Sequence, residues 1–297
     1  MKIKPNFVSR VALFLFASVV FSLTPAALAV QPPEREALPH FDKRLAEGRE
    51  ANKIAPDKKA ALDRLKKNIP AVEVDHDPIL GSPKFVHSPK GFLSGPNGEG
   101  KGISNTAARG VPANDRHHAV KAFLNDHAGL FGHGAEAVNK ARVKREHVDA
   151  HNGLRTIVWQ QEVDGIPVFE GILKGHITKN GELVNLARQF VPDPEKAADK
   201  GTPKAVREKL PVSAKEASPK AAAFVGDEMT TGDVSAVGPE ESTPEKLQTF
   251  RGTKIKGDNH ARLTWFALDS SEMRLSWEVI FTSKSRDEMY QVLVDAQ

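Results

Sequence analysis

The chain has 297 residues, room for one large domain or two ordinary ones, and is 39% hydrophobic and 27% charged, near the balance of a globular protein. It contains no cysteine, which excludes a disulfide framework, thiolate zinc, iron–sulfur clusters and a cysteine nucleophile. The formal charge of +4 includes Lys2, Lys4 and Arg10 from a stretch without acids, so the remainder is close to neutral and nucleic acid is not an expected partner.

Lys2, Lys4 and Arg10 precede an apolar run over 11–23, broken only by Ser18 and Ser22, and Ala27-Leu28-Ala29 supplies small residues for a signal peptidase. Residues 1–29 therefore read as a Sec-type signal peptide cleaved after Ala29. The run is shorter than the roughly 20 residues a membrane span needs. The expected product is secreted, with no membrane association after signal removal.

Residues 30–112 read as a mostly irregular N-terminal arm. Leu45, Leu62 and Leu65 have helical spacing but Pro56 interrupts them, and 70–112 is rich in Pro and Gly with few apolar residues to offset chain entropy. Order is expected over 113–193. Asn114 or Asp115 caps a helix carrying Val120, Phe123, Leu124, Leu130 and Phe131, ended by Gly132 and Gly134. Strands follow at 141–148, 154–163, 166–178 and 182–191, with turns at Asn152-Gly153, Asp164-Gly165 and Asn180-Gly181. Residues 194–210, with Pro194, Gly201 and Pro203, read as a charged linker. In 211–297, Ser213 and Glu216 form a capping box for a helix to about 225; a loop covers 226–244, and strands are expected at 247–255, 263–268, 274–281 and 289–294. The expected fold class is α+β: two small modules, each a helix packed on an antiparallel meander, after the irregular arm.

The chemistry-bearing patterns are sparse. His147 and His151 have the spacing of a zinc pair, but a zincin places Glu after the first His, where Val148 stands, and the segment reads as strand and turn. The glycine-rich stretch 95–101 lacks the Ser or Thr after Lys101 that a phosphate loop needs, and reads as a flexible loop. His117, His118, His127 and His133 read as solvated residues on or near the first helix. There is no Gly-x-Ser-x-Gly elbow. No catalytic residue, metal site or cofactor is expected in this chain.

The run Val158-Trp159-Gln160-Gln161-Glu162-Val163-Asp164-Gly165-Ile166-Pro167-Val168-Phe169-Glu170-Gly171, with Ala119 to Leu124, Leu130-Phe131-Gly132, Leu183 to Leu186 and Val191-Pro192, resembles the fungalysin/thermolysin propeptide domain. Residues 211–297 look like a PepSY-type propeptide module, on Leu275-Ser276-Trp277-Glu278-Val279 and the strand from Tyr290 to Ala296. In that family this last string continues into a Thr-Gly turn, so the module is expected to be truncated in its C-terminal hairpin at Gln297. The family's His-Glu-x-x-His helix has no counterpart in these residues. The resemblance implies a propeptide region of a secreted fungalysin-like zinc metalloprotease, acting as intramolecular chaperone and inhibitor of the catalytic domain, in cis or in trans. Zinc is expected only in that linked domain. The alternative is a stand-alone secreted binding module that inhibits or senses peptidases. Gln160, Gln161, Asp164, Gly165, Ile166, Pro167, Val168 and Gly171 are the candidate residues, as a partner interface or as a structural turn; hairpin geometry already accounts for Gly165 and Pro167.

Overall fold

Proline lacks an N–H and holds φ near the helical value, so it suits a helix start better than its interior. Pro56 accordingly opens α1 (Pro56–Asn68) instead of breaking it. This is seen in a computed structural model, which describes residues 38–45 and 56–297. The signal segment with Ala29 lies outside the described residues. After α1 come β1 (Glu73–His76), β2 (Pro83–His87), α2 (Asn105–Arg109), α3 (His118–Asp126), α4 (Ala128–Phe131) and α5 (Glu136–Lys140). A meander follows: β3 (Arg142–Val148), β4 (Arg155–Val163), β5 (Ile166–Ile177) and β6 (Leu183–Arg188). The second half has α6 (Pro194–Gly201), α7 (Lys204–Glu208), α8 (Ala214–Phe224), β7 (Val234–Ala236), β8 (Gln248–Gly252), β9 (Ile255–Ala267), β10 (Met273–Ser283) and β11 (Met289–Asp295). The fold is α+β, and the Ser213–Glu216 capping box of α8 is formed.

The strands make two antiparallel sheets. One runs β1-β2-β6-β5-β4-β3, the other β7-β8-β9-β10-β11. Among the described residues a single parallel pairing, Val168 with Trp265, joins β5 to β9 and makes an 11-stranded sheet.

Each sheet covers one core. The first core gathers Trp159, Leu173 and Leu186 from the sheet and Phe123, Leu124 and Phe131 from α3 and α4. It also takes Leu62, Leu65, Val86, Leu93 and Ile103, all from the stretch expected to be an arm. Much of 77–104 is irregular in backbone, as expected, but it is not detached. β2 pairs with β6, and the Leu93 and Asn97 amides donate to the carbonyls of Leu183 and Asn180. The boundary expected at 112/113 therefore falls inside one core. The expected linker 194–210 likewise forms α6 and α7, with Ala197 and Ala198 buried in the second core. Amide exchange should reflect this: Leu65 and Val86 should be protected on the timescale of Leu173, and fast exchange across α1 and β2 would contradict the shared core.

The four histidines of 117–133 differ from expectation. All are buried. His127 Nε2 donates to the Gly102 carbonyl at 2.7 Å, His118 Nδ1 to Pro112 O at 3.2 Å and His133 Nδ1 to Gly134 O at 3.1 Å. His117 stands edge-on to Trp159, with its Nε2 3.3 Å from the Glu146 carboxylate. His117, His118 and His127 are buried because the loops flanking α2 and β3 cover the helix surface that the sequence leaves looking open, and His133 because it packs between Phe131 and Phe190.

Candidate functional site

The candidate residues lie on the β4–β5 hairpin, where the chain passes from one core to the other. Asp164 and Gly165 form its two-residue turn, both with positive φ (54° and 75°), as such a hairpin requires. Below the turn Val163 pairs with Ile166 and Glu162 with Pro167, but the next pair is Gln160 with Ile172. One β4 residue, Gln161, thus opposes the four residues 168–171 of β5. This wide bulge swings the tip of the hairpin away from the first sheet. Trp159 and Leu173 below it belong to the first core; Val163, Ile166 and Val168 above it belong to the second.

Two buried amides hold the bulge. Gln160 Nε2 lies 2.8 Å from the Val168 carbonyl and 3.1 Å from each of the Gln161 and Gly171 carbonyls. Gln161 makes a reciprocal pair with Val191: its Nε2 donates to Val191 O at 2.8 Å, and Val191 N donates to its Oε1 at 2.9 Å. Gln160 thereby satisfies carbonyls that the ladder abandons at the bulge, and Gln161 satisfies the backbone of Val191 beyond the end of β6, as buried segments require. Gly171 is needed for space, because a Cβ there would sit 2.7 Å from Val168 Cβ.

The displaced tip docks on the second module. Thr264 Oγ1 donates to Pro167 O at 2.9 Å, and Trp265 Nε1 donates to Val163 O at 3.1 Å. Arg207 donates to the Asp164 carboxylate at 2.7 Å and to Thr202 O at 2.8 Å, and its guanidinium lies 5.1 Å from the centre of the Trp265 ring. Arg44 closes the outer side: it stacks over Phe266 at 4.3 Å, donates to Ala267 O at 3.0 Å and lies 3.6 Å from Glu170. Gln160, Gln161, Ile166, Pro167, Val168 and Gly171 are buried, while Asp164 and Gly165 are exposed. The six buried residues face the chain's own interior. Sequence reasoning found the turn and missed Thr264, Trp265, Arg207 and Arg44, which carry no local signal of a contact so distant in the chain.

Gly165 tests the turn. A Cβ there would stand 2.9 Å from Pro244 Cγ, and φ is +75°. Gly165→Val is expected to destabilise the chain by about 1–3 kcal/mol through backbone strain. An unchanged thermal midpoint would contradict the turn geometry.

The remaining candidates do not converge on chemistry. His147 is exposed on β3 and His151 lies in the following turn. Among the described residues no three of His, Asp or Glu are grouped to hold a metal ion. The 95–101 stretch is a tight turn on which the Gly95 amide donates to Glu99 O at 2.8 Å. It packs against the β5–β6 turn and has no phosphate-loop architecture. No described helix is long and apolar enough to cross a membrane.

Residues 139–190 match the model of the fungalysin/thermolysin propeptide motif. The match spans β3 to β6 and includes the whole bulged hairpin. No curated protein matches the chain. Among solved structures, the C-terminal domain of Bacillus megaterium YpeB is similar at 14% identity, covering 84% of this chain and 95% of that one, with a TM-score of 0.26.

Proposed function

We propose that this chain is the propeptide region of a secreted fungalysin-like zinc metalloprotease, non-catalytic itself, which assists folding of the catalytic domain and holds it inactive. The propeptide-motif match over 139–190 carries this reading. The second half is read as a PepSY-like propeptide module, and zinc belongs to the linked catalytic domain. Entry to the secretory route is assigned to the signal segment ending at Ala29.

The physical means are a braced body with strand edges free to pair. β3 and β11 each pair with one neighbour only among the described residues. Val143 and Val148 on β3 and Met289 on β11 are exposed large apolar side chains. Such edges can add a strand from a partner. A body that binds the folded protease and not its unfolded chain raises the folded fraction by mass action.

The test is to add the full chain to a separately expressed fungalysin-type catalytic domain. It should slow hydrolysis of a peptide substrate and raise the yield of active enzyme on refolding. It should do neither to an unrelated zinc peptidase. Equal effects on both enzymes, or none on either, would overturn the reading.

A further inference from the structure

Residues paired across an antiparallel ladder share a face of the sheet, so the registers of the six-stranded sheet can be read as rows. One complete row is Asp75, Phe85, Ala187, Lys174, Val158 and Arg145, across β1, β2, β6, β5, β4 and β3. The row two residues along is Glu73, His87, Asn185, His176, Thr156 and His147. The row between them holds Val86, Leu186 and Ile157, which point into the first core. The two rows therefore lie on the opposite face. The buried apolar residues of α1 to α5 all belong to the core on the other side, so the packed faces of these helices turn away from this face.

The face is charged in a directed way. At the β1 edge Glu73 and Asp75 are exposed, Glu73 lying 3.3 Å from His87 Nε2; Arg145 is exposed at the β3 edge and Lys174 on central β5; Phe85, Ala187 and Val158 are half-buried. Asp75, Lys174 and Arg145 form no ion pair with any described residue. Acid at one end and base at the other select neither an acidic nor a basic partner. They match a copy of the same face turned through half a revolution.

We propose that this face is a self-association surface on which a second copy of the chain packs about a two-fold axis. The axis runs parallel to the strands, between β6 and β5. Such an axis lays β1 over β3 of the second copy and β2 over its β4, keeping each row in register. Asp75 then faces Arg145 of the second copy, Phe85 faces its Val158 and Lys174 faces its Ala187, while Glu73, paired with His87 in its own chain, faces its His147. The contact is isologous, so every pairing occurs twice. Sheets pack face to face with strands roughly aligned, about 10 Å apart. Six strands spaced by roughly 4.8 Å give a face about 24 Å across, a small contact of the kind that weak, reversible dimers make.

The test is sedimentation velocity of the full chain over a concentration series at low and high salt. Monomer–dimer exchange is expected, weakened by salt because the end contacts are exposed ion pairs. Asp75→Arg and Arg145→Asp should each weaken association by about tenfold or more, since like charges then meet across the axis. The double variant restores opposite charges and should recover to within about threefold of the parent chain. Circular dichroism of each variant checks that the fold is kept. A chain monomeric at every concentration, single variants that associate like the parent, or a double variant no better than the singles would overturn the proposal.

Discussion

Replacing Trp265 with alanine is expected to remove about 3–5 kcal/mol of stability, the range for truncating a buried large aromatic side chain. Trp265 has 0% exposure, fills the second core, and sits where the two cores meet. Its indole N–H is a donor to Val163 O, and its backbone pairs with Val168, the strand pairing that joins β5 to β9. Alanine therefore opens a cavity and also takes the indole donor from the Val163 carbonyl beneath the hairpin tip. Trp265→Phe separates these effects. It keeps most of the packing and loses the hydrogen bond, so a smaller loss of about 1–3 kcal/mol is expected. Urea denaturation followed by fluorescence and by far-ultraviolet circular dichroism provides the measurement. Coincident transitions are expected in the parent chain and separated ones in the alanine variant, as the halves lose their tie. A loss below about 1 kcal/mol for Trp265→Ala would mean the junction is not what couples the cores.

The parts legible in the sequence were those specified by neighbours in the chain. Asp164-Gly165 announces a two-residue hairpin because few other pairs accept positive φ twice, and Ser213 with Glu216 announces the start of α8 for a comparably local reason. The alternation of Leu275, Trp277, Val279 and Phe281 marks β10 in the same way. The resemblance to propeptides located the region that the motif match confirms. What could not be read was burial decided at a distance. Leu93 and Ile103 stand singly among Gly, Pro and Ser with no period, yet both are fully buried in the first core. Gln160 and Gln161 look like surface residues of a strand until the bulge turns their amides onto the carbonyls of Val168 and Val191. Pro167 breaks the local strand rule at the place where the strand changes core, a conflict that marks a special position. The face with Asp75 and Arg145 is visible only after five strand pairings are known.

Acid is expected to unfold this chain well before its carboxylates are all neutral, and His133 is expected to supply a large share of the effect. Its ring lies near Phe131 and Phe190 at 6.3 and 5.9 Å, and its Nε2 is buried without a partner among the described residues. Burial, reinforced by the nearby Arg188 guanidinium, pushes its pKa down from 6.5 to about 3. Arg188 is itself buried, donating to Ser82 Oγ at 2.8 Å and to the Phe190 carbonyl, so its charge cannot retreat into solvent. The unfolded chain takes up a proton near pH 6.5 and the folded chain only near pH 3. Between those values the unfolded state binds more protons, so stability is fully present above about 6.5 and falls as the pH drops toward 3. The part from His133 is on the order of 4 kcal/mol. His117 and His127 are lowered mainly by burial and act in the same direction. Glu146 joins them: although burial raises its pKa, hydrogen bonds from Arg155 and His117 outweigh that and hold it below the usual value. His133→Phe keeps a ring between Phe131 and Phe190, gives up the bond to Gly134 O and removes the titration. It should lie within about 1 kcal/mol of the parent at neutral pH and be more stable than the parent at pH 4. Denaturant midpoints at several pH values between 3 and 7 measure the slope. A variant whose stability falls as steeply as the parent's would show that His133 is not the group taking up the proton.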